Sequence, residues 1–273
     1  MNEQVISLQG VEKSYGKNKV LKGVNMQVNK GDIYGLIGKN GAGKTTLFKL
    51  MLGLCGYDSG NLSICGGASQ AENNLNRRKI GFALSPGFYP YLSGEENLNY
   101  LARMKGKLDK KETKRIMEVI GLGTQAAKRK VAGYSMGMKK RLAIGGAIIG
   151  KPEILFLDEP ANGLDPQGIV DIRNLIGSLN AELGMTVIVS SHILDELQHT
   201  AKRFGIINEG VMVAEMTQED LVRYSSATTI TVDDQYAQGA VEAIQARGIP
   251  VKSVEKKATS LEEFYFGLLG GDK

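Results

Sequence analysis

Eight consecutive residues, Gly38-Lys39-Asn40-Gly41-Ala42-Gly43-Lys44-Thr45, satisfy the spacing G-x-x-x-x-G-K-[ST], and their types suit one task, gripping a nucleoside triphosphate. Glycines let successive backbone N–H groups turn inward around phosphate oxygens, and a helix beginning near Lys44 aims the positive end of its dipole at the same anion. Lys44 then reaches the β- and γ-phosphates. The Thr45 hydroxyl is a hard ligand of the kind Mg²⁺ accepts beside phosphate oxygens, and Thr46 continues the first helical turn. The surroundings agree. Asp32 to Ile37 reads as a short apolar strand, and Leu47, Leu50, Met51 and Leu54 follow at helical spacing, so the loop joins a strand to a helix.

A second group of acids lies far downstream. Glu153 to Leu157 is a continuous apolar strand pattern after its first residue, ending in Asp158-Glu159-Pro160, as expected in a parallel sheet covered on both faces. Successive strand residues point opposite ways, which lets Asp158 approach a Mg²⁺ shell while Glu159 faces the γ-phosphate and orients a water for in-line attack. Two acids closing an ordinary strand is the plain alternative, and the phosphate loop weighs against it.

Further motifs follow a fixed order. Tyr134-Ser135-Met136-Gly137-Met138-Lys139-Lys140-Arg141 precedes a helix pattern through Leu142, Ile144, Ile148 and Ile149. Ala161-Asn162-Gly163-Leu164-Asp165 follows the acids, and Ser191-His192 follows the apolar strand Met185 to Ser190. Taken together, residues 3 to about 225 resemble the ATPase subunits of ABC transporters, most of all bacterial antibiotic- and bacteriocin-export ATPases.

The resemblance implies ATP and Mg²⁺ as ligands, and a sandwich dimer in which the signature of one subunit closes on ATP held by the phosphate loop of the other. Ser135 and Gly137 then serve the partner's γ-phosphate. Met138 stands where the family has a glutamine. Tyr15, just after the strand pattern Val5 to Leu8, falls at the position whose ring stacks on adenine, and His192 at the switch histidine that holds the attacking water beside Glu159. Asp165-Pro166 reads as an N-cap followed by proline at the first helical position. One departure concerns the glutamine or glutamate that the family places near Mg²⁺: no Gln or Glu lies between Glu72 and Glu95, and Ser85 takes that position with a shorter reach.

The expected fold is α/β: a P-loop NTPase core with an antiparallel β layer, a helical signature subdomain and a small C-terminal α+β appendage. Residues 1–224 form the ATPase domain with its helical part at about 86–150, opened by the capping box Ser93-Gly94-Glu95-Glu96. Residues 225–273 form the appendage, with strands at Thr228 to Val232 and Val251 to Val254, a helix bearing Ala237, Val241 and Ile244, and a terminal helix after Ser260.

At 273 residues and 42% hydrophobic content the chain can bury a sizeable core, and nothing in it is low-complexity. The longest apolar run, Leu142 to Gly150, is nine residues, too short for a bilayer that needs about 20. The first residues lack the basic stretch and apolar core of a secretory signal, and Cys55 and Cys65 lack metal-type spacing. The net charge of +5 is dispersed over solvated runs with no aromatic interleaving, which argues against nucleic acid as a partner.

The partners expected are a transmembrane permease subunit, meeting Phe88-Tyr89-Pro90-Tyr91-Leu92, and a second ATPase subunit, a second copy of this chain. The place is the cytoplasmic face of the membrane, peripheral through the permease. The alternative is a soluble ABC-type regulator without a membrane partner, against which the chain holds one phosphate loop rather than two in tandem.

Overall fold

The computed structural model describes residues 3–83, 87–106, 108–193, 197–224, 230, 232–251 and 253–254. Two compact units divide it, Met1–Leu221 and Val222–Lys273. The first contains nine strands: β1 (Gln4–Tyr15), β2 (Asn18–Asn29), β3 (Ile33–Ile37), β4 (Ser59–Ile64), β5 (Ile80–Ala83), β6 (Ile154–Asp158), β7 (Thr186–Ser191), β8 (Arg203–Asn208) and β9 (Val211–Thr217). Its helices are α1 (Lys44–Met51), α2 (Gln70–Asn76), α3 (Gly94–Met104), α4 (Lys110–Val119), α5 (Thr124–Lys128), α6 (Met136–Ile148) and α7 (Pro166–Leu183), and α8 (Gln218–Tyr224) follows.

Two sheets result, an antiparallel one in the order β2-β1-β4 and a six-stranded one in the order β5-β6-β7-β3-β8-β9. The larger sheet is parallel except for β9, which runs antiparallel to β8. Side-chain alternation explains why its strands read as unbroken apolar runs. Leu155 and Leu157 of β6, with Val187 and Val189 of β7, enter a core shared with α3, α4, α6 and α7. Ile154, Phe156 and Ile188 point the other way, into a second core with α1 and the antiparallel sheet. Phe48 and Phe156 meet edge to face there, their ring centroids 5.1 Å apart.

Several boundaries differ from the sequence reading. β1 does not stop near Leu8 but runs to Tyr15, because register shifts after Leu8 and before Ser14 let the strand pass its charged stretch without losing its partner. The first helix closes at Met51. Gly53, at φ 75°, supplies the left-handed turn, the Leu54 N–H bonds back to the Lys49 carbonyl, and Leu54 is left exposed rather than packed. The signature helix begins inside its motif, since Ser135 Oγ accepts the Met138 N–H and caps α6. The Ser93 capping box forms as expected, with Ser93 Oγ accepting from the Glu96 N–H and Glu96 Oε2 accepting from the Ser93 N–H.

In the second unit the described residues form a short 3-10 turn, Asp234–Tyr236, and the helix α9 (Ala237–Ala246). The strand expected at 251–254 is not formed at Val251, Ser253 or Val254, which find no strand to pair with among the described residues. Most of the strand expected at 228–232, the helix after Ser260, and Ser85 itself lie outside those residues.

Candidate functional site

The parallel strands β6, β7 and β3 are neighbours, so their carboxyl ends finish side by side and deliver three loops to one place. Register makes this concrete: Asp158 lies opposite Ser190, and Ile37 opposite Ser191. The phosphate loop therefore leaves the sheet beside the Asp158-Glu159 turn and beside His192.

The loop is shaped by close approach. A side chain at Gly38 would put its Cβ 2.5 Å from the Ile207 carbonyl oxygen, so only glycine fits. Gly43 takes φ 111° at the N-cap of α1 and offers no side chain to the helix, whose first N–H groups remain for an external anion. Lys44 is nearly fully buried, its ammonium donating to the Gly38 carbonyl at 2.6 Å and the Lys39 carbonyl at 3.3 Å. A glycine cradle, an uncapped helix start and a buried ammonium fit a polyphosphate.

The acids are held by partners from three elements. Asp158 Oδ2 accepts from the Thr45 hydroxyl at 3.2 Å, while Oδ1 accepts from Ser190 Oγ at 2.6 Å. Two hard oxygens so placed, from Thr45 and Asp158, are a donor pair suited to Mg²⁺ beside phosphate. Glu159 Oε1 lies 3.4 Å from Lys44 Nζ, and Oε2 lies 3.2 Å from His192 Nδ1 and accepts from Asn162 Nδ2 at 3.1 Å. Lys44, Thr45, Asp158, Glu159 and His192 thus form one connected cluster.

Three members of this network carried no role in the sequence reading. Ser190 is a fully buried hydroxyl that, with Ser191, ends a strand apolar at its centre, and a buried polar side chain after an apolar run is the signal that marks it. Asn162 sits three residues after the glutamate it contacts. Lys140, from α6, donates to the Glu159 carbonyl at 2.9 Å, and burial lowers its pKa despite the opposing pull of Glu159 and Asp158.

The remaining predicted residues lie apart from the cluster. Ser135 and Gly137 occupy the start of α6. Met138 turns back on its own subunit, its Sδ accepting from Arg129 Nη2 at 3.0 Å. Tyr15 closes β1 with its ring 49% exposed and Lys13 Nζ 5.2 Å from the ring centroid. The neighbouring Cys55 thiol pushes the Tyr15 phenol up, and Cys55 itself packs against the second core.

The profile described as "ABC transporter" matches residues 21–162, just over half of the chain. The chain belongs to the ABC transporter family. It is 42% identical over 221 residues to the bacitracin transport ATP-binding protein BcrA of Enterococcus faecalis, across 80% of this chain and 71% of that protein. It is likewise 42% identical over 212 residues to the lantibiotic transport ATP-binding protein SrtF of Streptococcus pyogenes, across 77% of this chain and 90% of that one. The fold matches an ATP-binding cassette solved as a dimer in a post-hydrolysis state with ADP and phosphate, at TM-score 0.68 and 26% identity, covering 78% of this chain and 98% of the other. The chain is the ATP-binding, ATP-hydrolysing subunit of an ABC transporter. No helix among its described residues is long and apolar enough to cross a membrane.

Within this ABC subunit, the half-exposed ring of Tyr15 leaves a face open on which stacking of a base can be tested. Tyr15→Ala is expected to weaken ATP binding by about 1–3 kcal/mol while leaving the turnover of bound ATP close to wild type. Titration with a fluorescent ATP analogue, paired with kcat at saturating ATP, checks this.

Proposed function

We propose that this subunit hydrolyses ATP at the Lys44–Glu159–His192 cluster to drive export by a membrane permease. The connected contacts of Glu159 with Lys44 and His192 carry that reading. With ATP bound, the backbone of residues 38–45 holds the phosphates and Lys44 moves its ammonium from loop carbonyls to the β- and γ-phosphate oxygens. Thr45 and Asp158 would hold Mg²⁺, whose chemistry when bound would be to offset developing charge on the phosphates. Glu159 orients the attacking water and takes its proton, and His192 keeps the carboxylate aimed.

The second half of each site comes from another subunit, a second copy of this chain. Ser135 and Gly137 at the start of α6 offer a hydroxyl and close-approaching N–H groups to the partner's γ-phosphate. Met138 lies beside them, with only a weak acceptor in place of a side-chain amide.

The permease docks on an aromatic surface of the helical subdomain. Tyr89 and Tyr91 are exposed with ring centroids 5.7 Å apart, and Tyr100 packs edge to face on Tyr89 at 5.0 Å. Phe88 packs inward against the core and anchors this segment. The similarity to bacitracin and lantibiotic transport subunits supports an antimicrobial peptide as cargo and self-protection or resistance as the outcome. The protein then works at the cytoplasmic face of the membrane without spanning it.

Affinity capture of the tagged chain from detergent-solubilised membranes tests the assignment. The expected result is a polytopic permease that stays bound in wild type and is lost in Tyr89→Ser/Tyr91→Ser. A chain that remains in the soluble fraction with no membrane partner contradicts it.

A further inference from the structure

Glu159 carries its side chain on a backbone with φ 46°, a left-handed conformation that residues with a Cβ rarely adopt. Such a conformation is strained and persists only where the surroundings over-determine it. Here both ends of the residue are held. The N–H of Glu159 points at Ser190, 3.1 Å from Oγ and 3.2 Å from the carbonyl oxygen. The carbonyl of Glu159 accepts from Lys140 Nζ at 2.9 Å.

Lys140 belongs to α6, whose first turn holds Ser135, Met136 and Gly137. The same turn meets the loop after Glu159 at two further points. A Cβ on Gly163 would lie 2.9 Å from Met136 Sδ, and one on Gly137 would lie 3.8 Å from Leu164 Cδ2. The start of α6 and the loop 159–164 therefore approach one another closely at three places, and Lys140 supplies the only hydrogen bond between them among the described residues.

We propose that Lys140 is a positioning residue that locks the backbone of Glu159 to the signature helix, so that the base of one site is set by the helix whose N-terminus serves the ATP of the other. A displacement of α6 that strains this bond frees the strained peptide and lets the carboxylate drift from its in-line aim. This rests on the reading of Glu159 as the base, and the experiment separates the two.

Steady-state ATP turnover is measured for the purified full chain, or for its complex with the permease, as wild type, Lys140→Met, Glu159→Gln and the double variant. Lys140→Arg and Lys140→Gln accompany them, with urea midpoints as a check on folding. Lys140→Met is expected to lower kcat about tenfold with the KM for ATP within about twofold. Lys140→Arg restores most of kcat, Lys140→Gln less, and Lys140→Met adds nothing to the residual rate of Glu159→Gln.

Glu159→Gln at wild-type turnover overturns the base reading and this inference with it. An inactive Glu159→Gln beside a Lys140→Met with wild-type kcat overturns the inference alone. So does a double variant slowed by the full product of the two single effects. If Lys140→Met does not fold, Lys140→Gln decides: wild-type kcat overturns the inference, and a reduced kcat rescued in Lys140→Arg supports it.

Discussion

Glu159→Gln is expected to slow ATP hydrolysis by about 10²- to 10⁴-fold, the usual worth of a positioned general base. The exchange is nearly isosteric and keeps one oxygen for Asn162, so the fold and ATP binding survive it. The carboxylate that lies 3.4 Å from Lys44 and 3.2 Å from His192 is lost, and with it the group proposed to take a proton from water. ATP is then bound but not consumed, and the ATP-bound dimer accumulates. Gel filtration in ATP and Mg²⁺ should show the variant as a dimer under conditions where wild type turns over and dissociates. Unimpaired turnover would remove Glu159 from the mechanism.

Lys44→Ala is expected to weaken ATP binding by about tenfold to a hundredfold, the equivalent of one hydrogen bond to a charged group. Turnover is expected to fall further, because in the proposed mechanism the same ammonium neutralises charge that develops on the γ-phosphate. Lys44 is nearly fully buried, held by the Gly38 and Lys39 carbonyls and close to Glu159. Its removal takes the ammonium from the Gly38 carbonyl and from Glu159, which keeps Asn162 and His192, so a modest loss of stability accompanies the loss of binding. Equilibrium binding of a fluorescent ATP analogue, alongside a urea titration, separates the two effects.

What could be read in advance was local. The phosphate loop is legible because one backbone conformation demands glycine at fixed spacing, and the two-faced apolar strands are legible because alternation fills both cores at once. Asp165 capping α7, with Pro166 at its first position, was plain for the same reason. Ser190 and Lys140 were harder, since each acts on a residue some 20 to 30 positions away, through a register and a helix approach that no short window contains. Nothing in Lys139-Lys140-Arg141 says which side chain turns inward: Lys140 takes Glu159, and Arg141 takes Asp171 on α7. The length of β1 was underestimated because its register shifts interrupt the pattern that marks a strand.

The central claim is that each ATP is enclosed by the phosphate loop of one subunit and the start of α6 of another. Mixing two inactive variants tests it directly. Lys44→Ala spoils the phosphate loop and leaves Ser135 intact, whereas Ser135→Arg blocks the signature and leaves Lys44 intact. In a mixed dimer of identical chains one site is whole and the other is doubly defective. Equal mixing makes half of the dimers mixed, so ATP turnover is predicted to return to about a quarter of the wild-type rate. A mixture as inactive as each variant alone, beside an active wild type, would show that both elements act within one chain and contradict the account.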